Sequence, residues 1–380
     1  MDFLKDIVNE IGGDYSKIAS DIDETETFVD TGSFIFNALV SGSIYGGVSG
    51  DKITAIAGES STGKTFFSLA VVKNFLDSNP DASCIYFDTE AAVNKSLLSS
   101  RGIDLSRLAV VNVVTIEEFR TKALKVVEMY LKTPEVDRKP CMFVLDSLGM
   151  LSTKKEITDA LDDKQVRDMT KSQLIKGAFR MLTLKLGQAK IPMLVTNHTY
   201  DVIGAYVPTK EMGGGSGLKY AASTIIHLSK KKEKDGTEIV GNIIKAKTAK
   251  SRLSRENMDV SVRLYYDERG LDKYFGLLEL GEKGGLWKNV AGRYDMGDGK
   301  KIYAKAILKD PEKYFTPEVM DKLDVIAKDT YSYGDSKEKR LEMEEELKSI
   351  INSDDYVSID DIELAVDNLD GDVSGISTLS

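Results

Sequence analysis

Cysteine is almost missing from this 380-residue chain: there are two, Cys84 and Cys141, each inside an apolar run (83–87 and 141–145). Thiols in buried strands of that kind stay reduced, so no disulfide framework is expected. Histidine is equally scarce, and His198 and His227 lack ligand spacing, which argues against a structural zinc site. No uninterrupted apolar run approaches the roughly 20 residues of a membrane-spanning helix. The start, Met1 to Asp6, has neither the basic residues nor the apolar stretch of a leader. The cytoplasm is therefore the expected compartment, with no membrane partner.

What is present is an apolar content of 42%, ample for a sizeable core, and a net charge of −10. An acidic total seems wrong for a protein that holds nucleic acid, because phosphate contacts need Lys and Arg. The distribution matters more than the sum. Between Lys230 and Arg255 nine basic residues stand against Glu233, Asp235 and Glu238, whereas 352–380 carries eight acids and no Lys or Arg.

Periodicity divides the chain. Phe3, Leu4, Ile7, Val8 and Ile11 form one helical face closed by Gly12 and Gly13, and an acidic linker, 21–26, follows. From about Thr31 to Phe275, apolar strand-like runs at 52–57, 83–88, 108–114, 141–146, 192–197 and 223–228 alternate with helical segments. That alternation predicts an α/β fold with a mostly parallel twisted sheet flanked by helices. Beyond Phe275 come Gly-rich turns around Trp287, a helix expected over 303–309 and a charged helix expected over 336–351. The expected organisation is a helical arm (1–30), a core (31–276), a small α+β C-terminal domain (277–351) and an acidic tail (352–380).

Gly58-Glu59-Ser60-Ser61-Thr62-Gly63-Lys64-Thr65 matches the P-loop pattern, with a strand before it and a helix beginning near Phe66. Glycines let the backbone N–H groups wrap phosphates, and the helix N-terminus favours negative charge. Lys64 would neutralise the β and γ oxygens of ATP, and Thr65 would ligate Mg²⁺. The metal also needs an acid at the end of a buried strand, and Cys141 to Ser147 supplies Asp146. Hydrolysis needs a carboxylate to orient or deprotonate water. Glu90, at the end of Tyr86-Phe87-Asp88-Thr89-Glu90, is the candidate, the alternative being a solvated acid in a turn.

Thr31-Gly32-Ser33, Asn37-Ala38-Leu39, the run Gly42 to Gly47, the P-loop, Phe87 to Glu90, Asp146-Ser147-Leu148-Gly149 and Met212-Gly213-Gly214-Gly215 resemble the RecA family of recombinases in order and spacing. The similarity covers most of 30–280. Asp146 to Glu156, Asp168-Met169-Thr170 and Asn197-His198-Thr199-Tyr200 resemble its UvsX bacteriophage branch in particular.

The resemblance implies a RecA-type ATPase core that binds ATP and Mg²⁺, hydrolyses ATP in a DNA-dependent way and forms helical filaments of itself on single-stranded DNA, pairing that strand with homologous double-stranded DNA. It implies a single-strand-binding protein and a recombination mediator as partners, and the host cytoplasm as location. Glu90 takes the place of the catalytic glutamate. Asn197 and His198 take that of the polar pair that senses the γ-phosphate, where RecA itself carries Gln in place of His198. Phe66 and Asn94 fall among the nucleotide-binding positions with the P-loop residues. The segment from Asn197 to Ala222 resembles the second DNA-binding loop, with Gly214, Gly215, Ser216 and Lys219 as contacts; the first loop falls between Ser152 and Arg167. Lys171 and Arg180, expected on one broad helix face, are further phosphate contacts. Lys250 and Arg252 are implied to cross a subunit interface to a neighbour's ATP, with Lys245 and Lys247 as substitutes. The first thirty residues would be the polymerisation arm, the alternative being a helix packed on its own core. A ring helicase and a non-catalytic ATP-switched DNA-binding protein are the rival readings.

Overall fold

A computed structural model of the chain describes residues 3–11, 27–163, 170–201, 210–213, 215–235, 238–296 and 299–333. All of these belong to one compact unit. The expected helix at 336–351 and the acidic tail lie outside the described residues, as do 12–26, Asp168-Met169 and Gly214.

In chain order, α1 (Phe3–Ile11) precedes β1 (Phe28–Val29), α2 (Phe34–Ser41), β2 (Val48–Ser49), β3 (Ile53–Gly58) and α3 (Lys64–Ser78). Next come β4 (Ser83–Asp88), α4 (Lys95–Ser100), β5 (Leu108–Asn112), α5 (Ile116–Lys132) and β6 (Cys141–Asp146). The second half of the core holds α6 (Lys154–Leu161), α7 (Lys171–Ala189), β7 (Met193–Asp201), β8 (Lys210–Met212), α8 (Ser216–Ala221), β9 (Thr224–Asp235), β10 (Glu238–Lys250) and β11 (Asp259–Tyr265). The chain continues through α9 (Leu277–Lys283), β12 (Lys288–Val290), β13 (Arg293–Asp295), β14 (Lys301–Tyr303), α10 (Ala304–Ile307) and α11 (Pro317–Tyr331).

The main sheet runs β11-β10-β9-β3-β7-β6-β4-β5, with β8 added to β7. Its centre is parallel from β9 through β5, and β10, β11 and β8 join antiparallel. Strands covered on both faces read as continuous apolar runs, which is why Cys141 to Leu145 shows no alternation although its side chains do alternate. Met142 and Val144 enter a core with α2, α3 and residues of 277–331, while Cys141, Phe143 and Leu145 enter the core under α5 and α7. Fully burying a side chain such as Phe143 stabilises by roughly 1.5–3 kcal/mol.

The β4 and β6 boundaries match the sequence reading, and β7 and β9 run longer than expected. The expected helix at 303–309 is shorter, because Tyr303 belongs to β14 and the turns end at Ile307, ahead of the helix-averse position before Pro311. Strands β12, β13 and β14 form a separate three-stranded antiparallel sheet. On α1, Phe3 and Leu4 are 74% and 57% exposed, so that end of the helix is not packed on a core of its own.

Candidate nucleotide-binding site

The P-loop closes over the end of β3. A Cβ on Gly58 would sit 2.8 Å from the Leu228 carbonyl and 2.9 Å from Thr62 Oγ1, and Gly63 adopts φ +90°, so both positions need glycine. Thr62 Oγ1 donates to the Glu59 carbonyl at 2.9 Å. A cavity of about 430 Å³ opens above the loop, lined by Ser60, Ser61, Gly63, Lys64, Thr65, Phe66, Glu90, Asp146 and His198, together with Lys230, Asn242 and Tyr266. A larger cavity of about 580 Å³ at the other end of the strands, beside Phe28, Tyr130 and Arg138, contains none of the motif residues.

Lys64 is buried, and its ammonium donates to the carbonyls of Gly58 at 3.0 Å and Glu59 at 2.8 Å and lies 3.4 Å from His198 Nδ1. Burial lowers its pKa, against the pull of Asp146 and Glu90. An ammonium can only donate, so Nδ1 is the acceptor and Nε2 carries the imidazole proton. That proton points at Glu90 Oε1, 3.0 Å away. Ser147 Oγ donates to the same oxygen at 2.7 Å. Partial burial works to raise the Glu90 carboxyl, but the hydrogen bonds from His198 and Ser147 and the nearby cations hold it below its ordinary value.

Two further groups present Glu90. The buried Asp88 carboxylate accepts from the backbone N–H groups of Glu90, Ala92 and Val93, shaping the turn after β4. Thr89 Oγ1 bonds the Asp146 and Ser147 carbonyls and accepts from Ser147 N–H at 2.8 Å. A cis peptide joins Asp146 to Ser147.

Asp146 is held by hydroxyls. Thr65 Oγ1 donates to Oδ2 at 2.6 Å, Tyr86 OH to the same oxygen at 2.7 Å, and Thr196 Oγ1 to Oδ1. A hydroxyl and a carboxylate side by side are a donor set that suits Mg²⁺, which takes one or two protein oxygens and completes its shell with phosphate and water. Burial, with Asp146 beside it, pushes the Tyr86 phenol well above its ordinary pKa, so it stays a proton donor.

Midway along β7, Asn197 Oδ1 accepts from His198 N–H at 2.9 Å and Nδ2 donates to the Gly213 carbonyl at 2.8 Å. Gly213 N–H donates back to the His198 carbonyl at 3.0 Å. An unbroken line of bonds therefore runs from the phosphate-site lysine to the glycine-rich segment.

Several expected residues lie elsewhere. Asn94 caps α4, its Oδ1 accepting from Leu97 N–H at 2.9 Å, and does not line the cavity. Lys171 and Arg180 were expected on one helix face; nine positions along α7 are two and a half turns, so they leave it on opposite sides. Lys171 lies 3.6 Å from Glu156, which forms the capping box of α6 with Thr153, and Arg180 is exposed. Gly215 (φ +75°) precedes α8, which contains Ser216 and the exposed Lys219; Gly214 is outside the described residues. The Lys250 ammonium is bonded to carbonyls of its own chain, and Arg252 is exposed beside it. Lys245 and Lys247 line another cavity, of about 500 Å³, with Lys230, His227, Thr199 and the far side of the P-loop.

The sequence reading missed Tyr86, Thr196, Ser147, Lys230, Asn242 and Tyr266. A signal existed for the first two: hydroxyls interrupting otherwise apolar buried strands one or two residues before a motif residue. Asn242 is 2% exposed, and its Oδ1 has no hydrogen-bond partner among the described residues. Phe66 carries Arg101 over its face at 4.2 Å and lies 6.1 Å from Tyr266, so flat rings form one wall.

Comparison with known proteins agrees with this architecture. The family model described as the RecA N-terminal domain matches residues 3–272. The recombination and repair protein of Enterobacteria phage T4 is 33% identical over 247 residues, 65% of this chain and 61% of that protein, so the matched stretch spans about three fifths of the phage protein. Protein RecA of Clavibacter michiganensis subsp. michiganensis is 26% identical over 308 residues, 79% of this chain and 80% of the relative. Protein RecA of Thermus aquaticus is 27% identical over 325 residues, 81% and 89% of the two chains. With a P-loop, a strand-end acid and a glycine-rich segment joined on one parallel sheet, and a family match across more than half its length, the chain belongs to the RecA family.

Proposed function

We propose that this protein is an ATP-dependent DNA recombinase that assembles as a helical filament on single-stranded DNA and pairs it with a homologous duplex in recombination, repair and recombination-dependent replication. The observation that carries the reading is the bonded line from Lys64 through His198 and Asn197 to Gly213. A γ-phosphate entering the cavity competes for Lys64 and His198, and any shift of His198 is passed by Asn197 to the segment ending at Ala222. Nucleotide state then sets DNA affinity.

In hydrolysis, Glu90 accepts a proton from the attacking water as oxygen bonds to the γ-phosphorus and the β–γ bridging oxygen leaves with ADP. Release from His198 frees a Glu90 lone pair, while Ser147 keeps the carboxylate in place. Thr65 and Asp146 would hold Mg²⁺, which when bound neutralises charge on the β and γ oxygens. Asn242 Oδ1 offers an acceptor to an amino or hydroxyl group of the nucleotide.

The exposed apolar residues of α1 support a role for 1–30 as the arm that reaches a second copy, with 31–276 as the ATPase and DNA-binding core and 277–351 as a C-terminal domain. Lys250 and Arg252 are the cations we assign to a neighbour's nucleotide, with Lys247 and Lys245, which is paired with Asp259 at 3.0 Å, as substitutes. The tail 352–380 is an intramolecular competitor for the basic loops. Truncation after Asn352 is expected to speed DNA loading, and unchanged loading removes that role. A single-strand-binding protein and a mediator complete the expected partners, in the cytoplasm.

The decisive experiment images the protein on long single-stranded DNA with a non-hydrolysable ATP analogue and assays joint molecules with homologous duplex. Filaments and joint molecules are expected. Lys64→Ala should abolish both, and Glu90→Gln should form filaments while losing about 10²–10⁴-fold in ATP turnover. Closed rings that unwind forks would replace this reading with the helicase one.

A further inference from the structure

Arg101 is a buried cation outside every motif of the nucleotide site, 5% exposed, and it does not line the cavity. A guanidinium leaves water only where partners replace it, so what it touches is informative. It is the C-cap of α4, after which the chain turns through Gly102 at φ +67°. Gly102 N–H donates to the Ser99 carbonyl and Ile103 N–H to that of Leu98, the glycine stop of a helix. Capped by Asn94 at its start and stopped by glycine at its end, α4 delivers Arg101 to one place.

Its partners come from two other parts of the chain. The guanidinium lies over the Phe66 ring, 4.2 Å from the centroid, in the first turn of α3. Its Nη1 donates to the carbonyls of Tyr265 at 2.9 Å and Asp267 at 3.3 Å, the residues on either side of Tyr266. That turn after β11 is closed by Tyr265 N–H to the Gly270 carbonyl at 2.8 Å and Gly270 N–H to the Asp267 carbonyl at 3.2 Å. A Cβ on Gly270 would stand 3.2 Å from Ala70 Cβ, so the turn lies close on α3. Phe66 and Tyr266, 6.1 Å apart, both line the cavity that Lys64 and Thr65 share. A planar guanidinium can stack on a ring and donate in its own plane at once, which an ammonium cannot. Its Nε has no hydrogen-bond partner among the described residues. The placement thus carries a local cost, as side chains held for function commonly do.

We propose that Arg101 is a positioning residue for the nucleotide: stacked on Phe66 and bonded on both sides of Tyr266, it holds the two rings as one wall for the base. The inference rests on the assignment of this cavity to ATP. A base has a π-face to lay on that wall and a bare phosphate chain has none, so Arg101 acts on the nucleotide and not on its phosphates. The base undergoes no change during phosphoryl transfer. Loss of the wall therefore removes binding common to ground and transition states, raising KM and sparing kcat.

The test titrates full-length protein, with Mg²⁺ present, against a non-hydrolysable ATP analogue and against inorganic tripolyphosphate. Wild type, Arg101→Met, Tyr266→Ala and the double variant are compared. Arg101→Met is expected to bind the analogue about tenfold more weakly and tripolyphosphate within about twofold of wild type. In turnover its KM for ATP should rise by the same factor, with kcat within about twofold. Since Arg101 acts through the wall, adding Arg101→Met to Tyr266→Ala should cost less than about threefold further. Should Arg101→Met fail to fold, Arg101→Lys, which keeps the charge and loses the plane, carries the same comparison with about a threefold loss for the analogue alone. Equal losses for analogue and tripolyphosphate would make Arg101 a general support of the fold and overturn the proposal. So would wild-type affinity for both, or full additivity in the double variant. A wild-type protein that binds neither probe would instead remove the assignment of the cavity to ATP.

Discussion

At the scale of single residues, the site satisfies itself with its own groups. Glu90 accepts from His198 and Ser147, and these bonds depress its carboxyl below the ordinary value of 4.5. A carboxyl whose folded pKa lies below its unfolded one contributes stability that is fully present above the unfolded value and lost as pH falls through the folded one. Glu90→Gln should therefore show a shallower fall in urea midpoint than wild type as pH drops from about 5 to about 3, and parallel curves would show the bonds to be energetically idle. Tyr86→Phe removes one donor to the buried Asp146 and keeps the ring, so it should cost about 1.5–3 kcal/mol in urea unfolding. Legibility differs sharply among these residues. Lys64, Thr65, Asp146 and Glu90 announce themselves because phosphate and metal chemistry constrains short contiguous strings. Ser147, Thr196 and Tyr86 serve through neighbours 50 to 60 positions away in the chain, a proximity that only the sheet order creates.

At the scale of elements, strands buried on both faces were read closely: 83–88 and 141–146 match to the residue because runs of apolar side chains end where a polar motif begins. Where helical spacing was the guide on α7, the helix geometry prevailed. The pitch of α7 separates Lys171 from Arg180. Asn94 fell to a competing local role, since Asn is a favoured N-cap. The antiparallel strand β11 was not read, although Val260, Val262 and Leu264 alternate with more exposed residues along it. In the C-terminal part, α9 rests on the single tryptophan: a Cβ on Gly281 would stand 2.2 Å from the indole, whose N–H donates to the Leu278 carbonyl at 2.7 Å. Gly281→Ala should cost about 1–3 kcal/mol by overpacking and shift tryptophan emission to the red as the ring is displaced. Emission at the wild-type wavelength with an unchanged midpoint would contradict the packing.

At the scale of the whole molecule, 277–331 shares one apolar core with α2 and α3. Asp324 on α11 clasps the two regions: its Oδ1 accepts from Ser43 Oγ at 2.6 Å and from the buried Ile44 N–H at 2.9 Å, and Lys328 lies 2.9 Å from Oδ2. Arg255 adds a bond to the Ser332 carbonyl at 2.8 Å. Trp287 fluorescence and far-ultraviolet dichroism should accordingly report one unfolding midpoint, and Asp324→Ala should lower both together by the equivalent of about 2–3 kcal/mol. Midpoints that separate would make the C-terminal part an independent folding unit, a division the Gly-rich texture after Phe275 suggests and the shared core opposes. The reciprocal bonding of Lys64, His198 and Glu90 has an outcome for ligand energetics as well. An arriving triphosphate must evict partners these groups already hold, so it exchanges bonds instead of adding them. Its affinity, and the rise in melting temperature it produces, will fall short of what the tally of its final contacts would suggest.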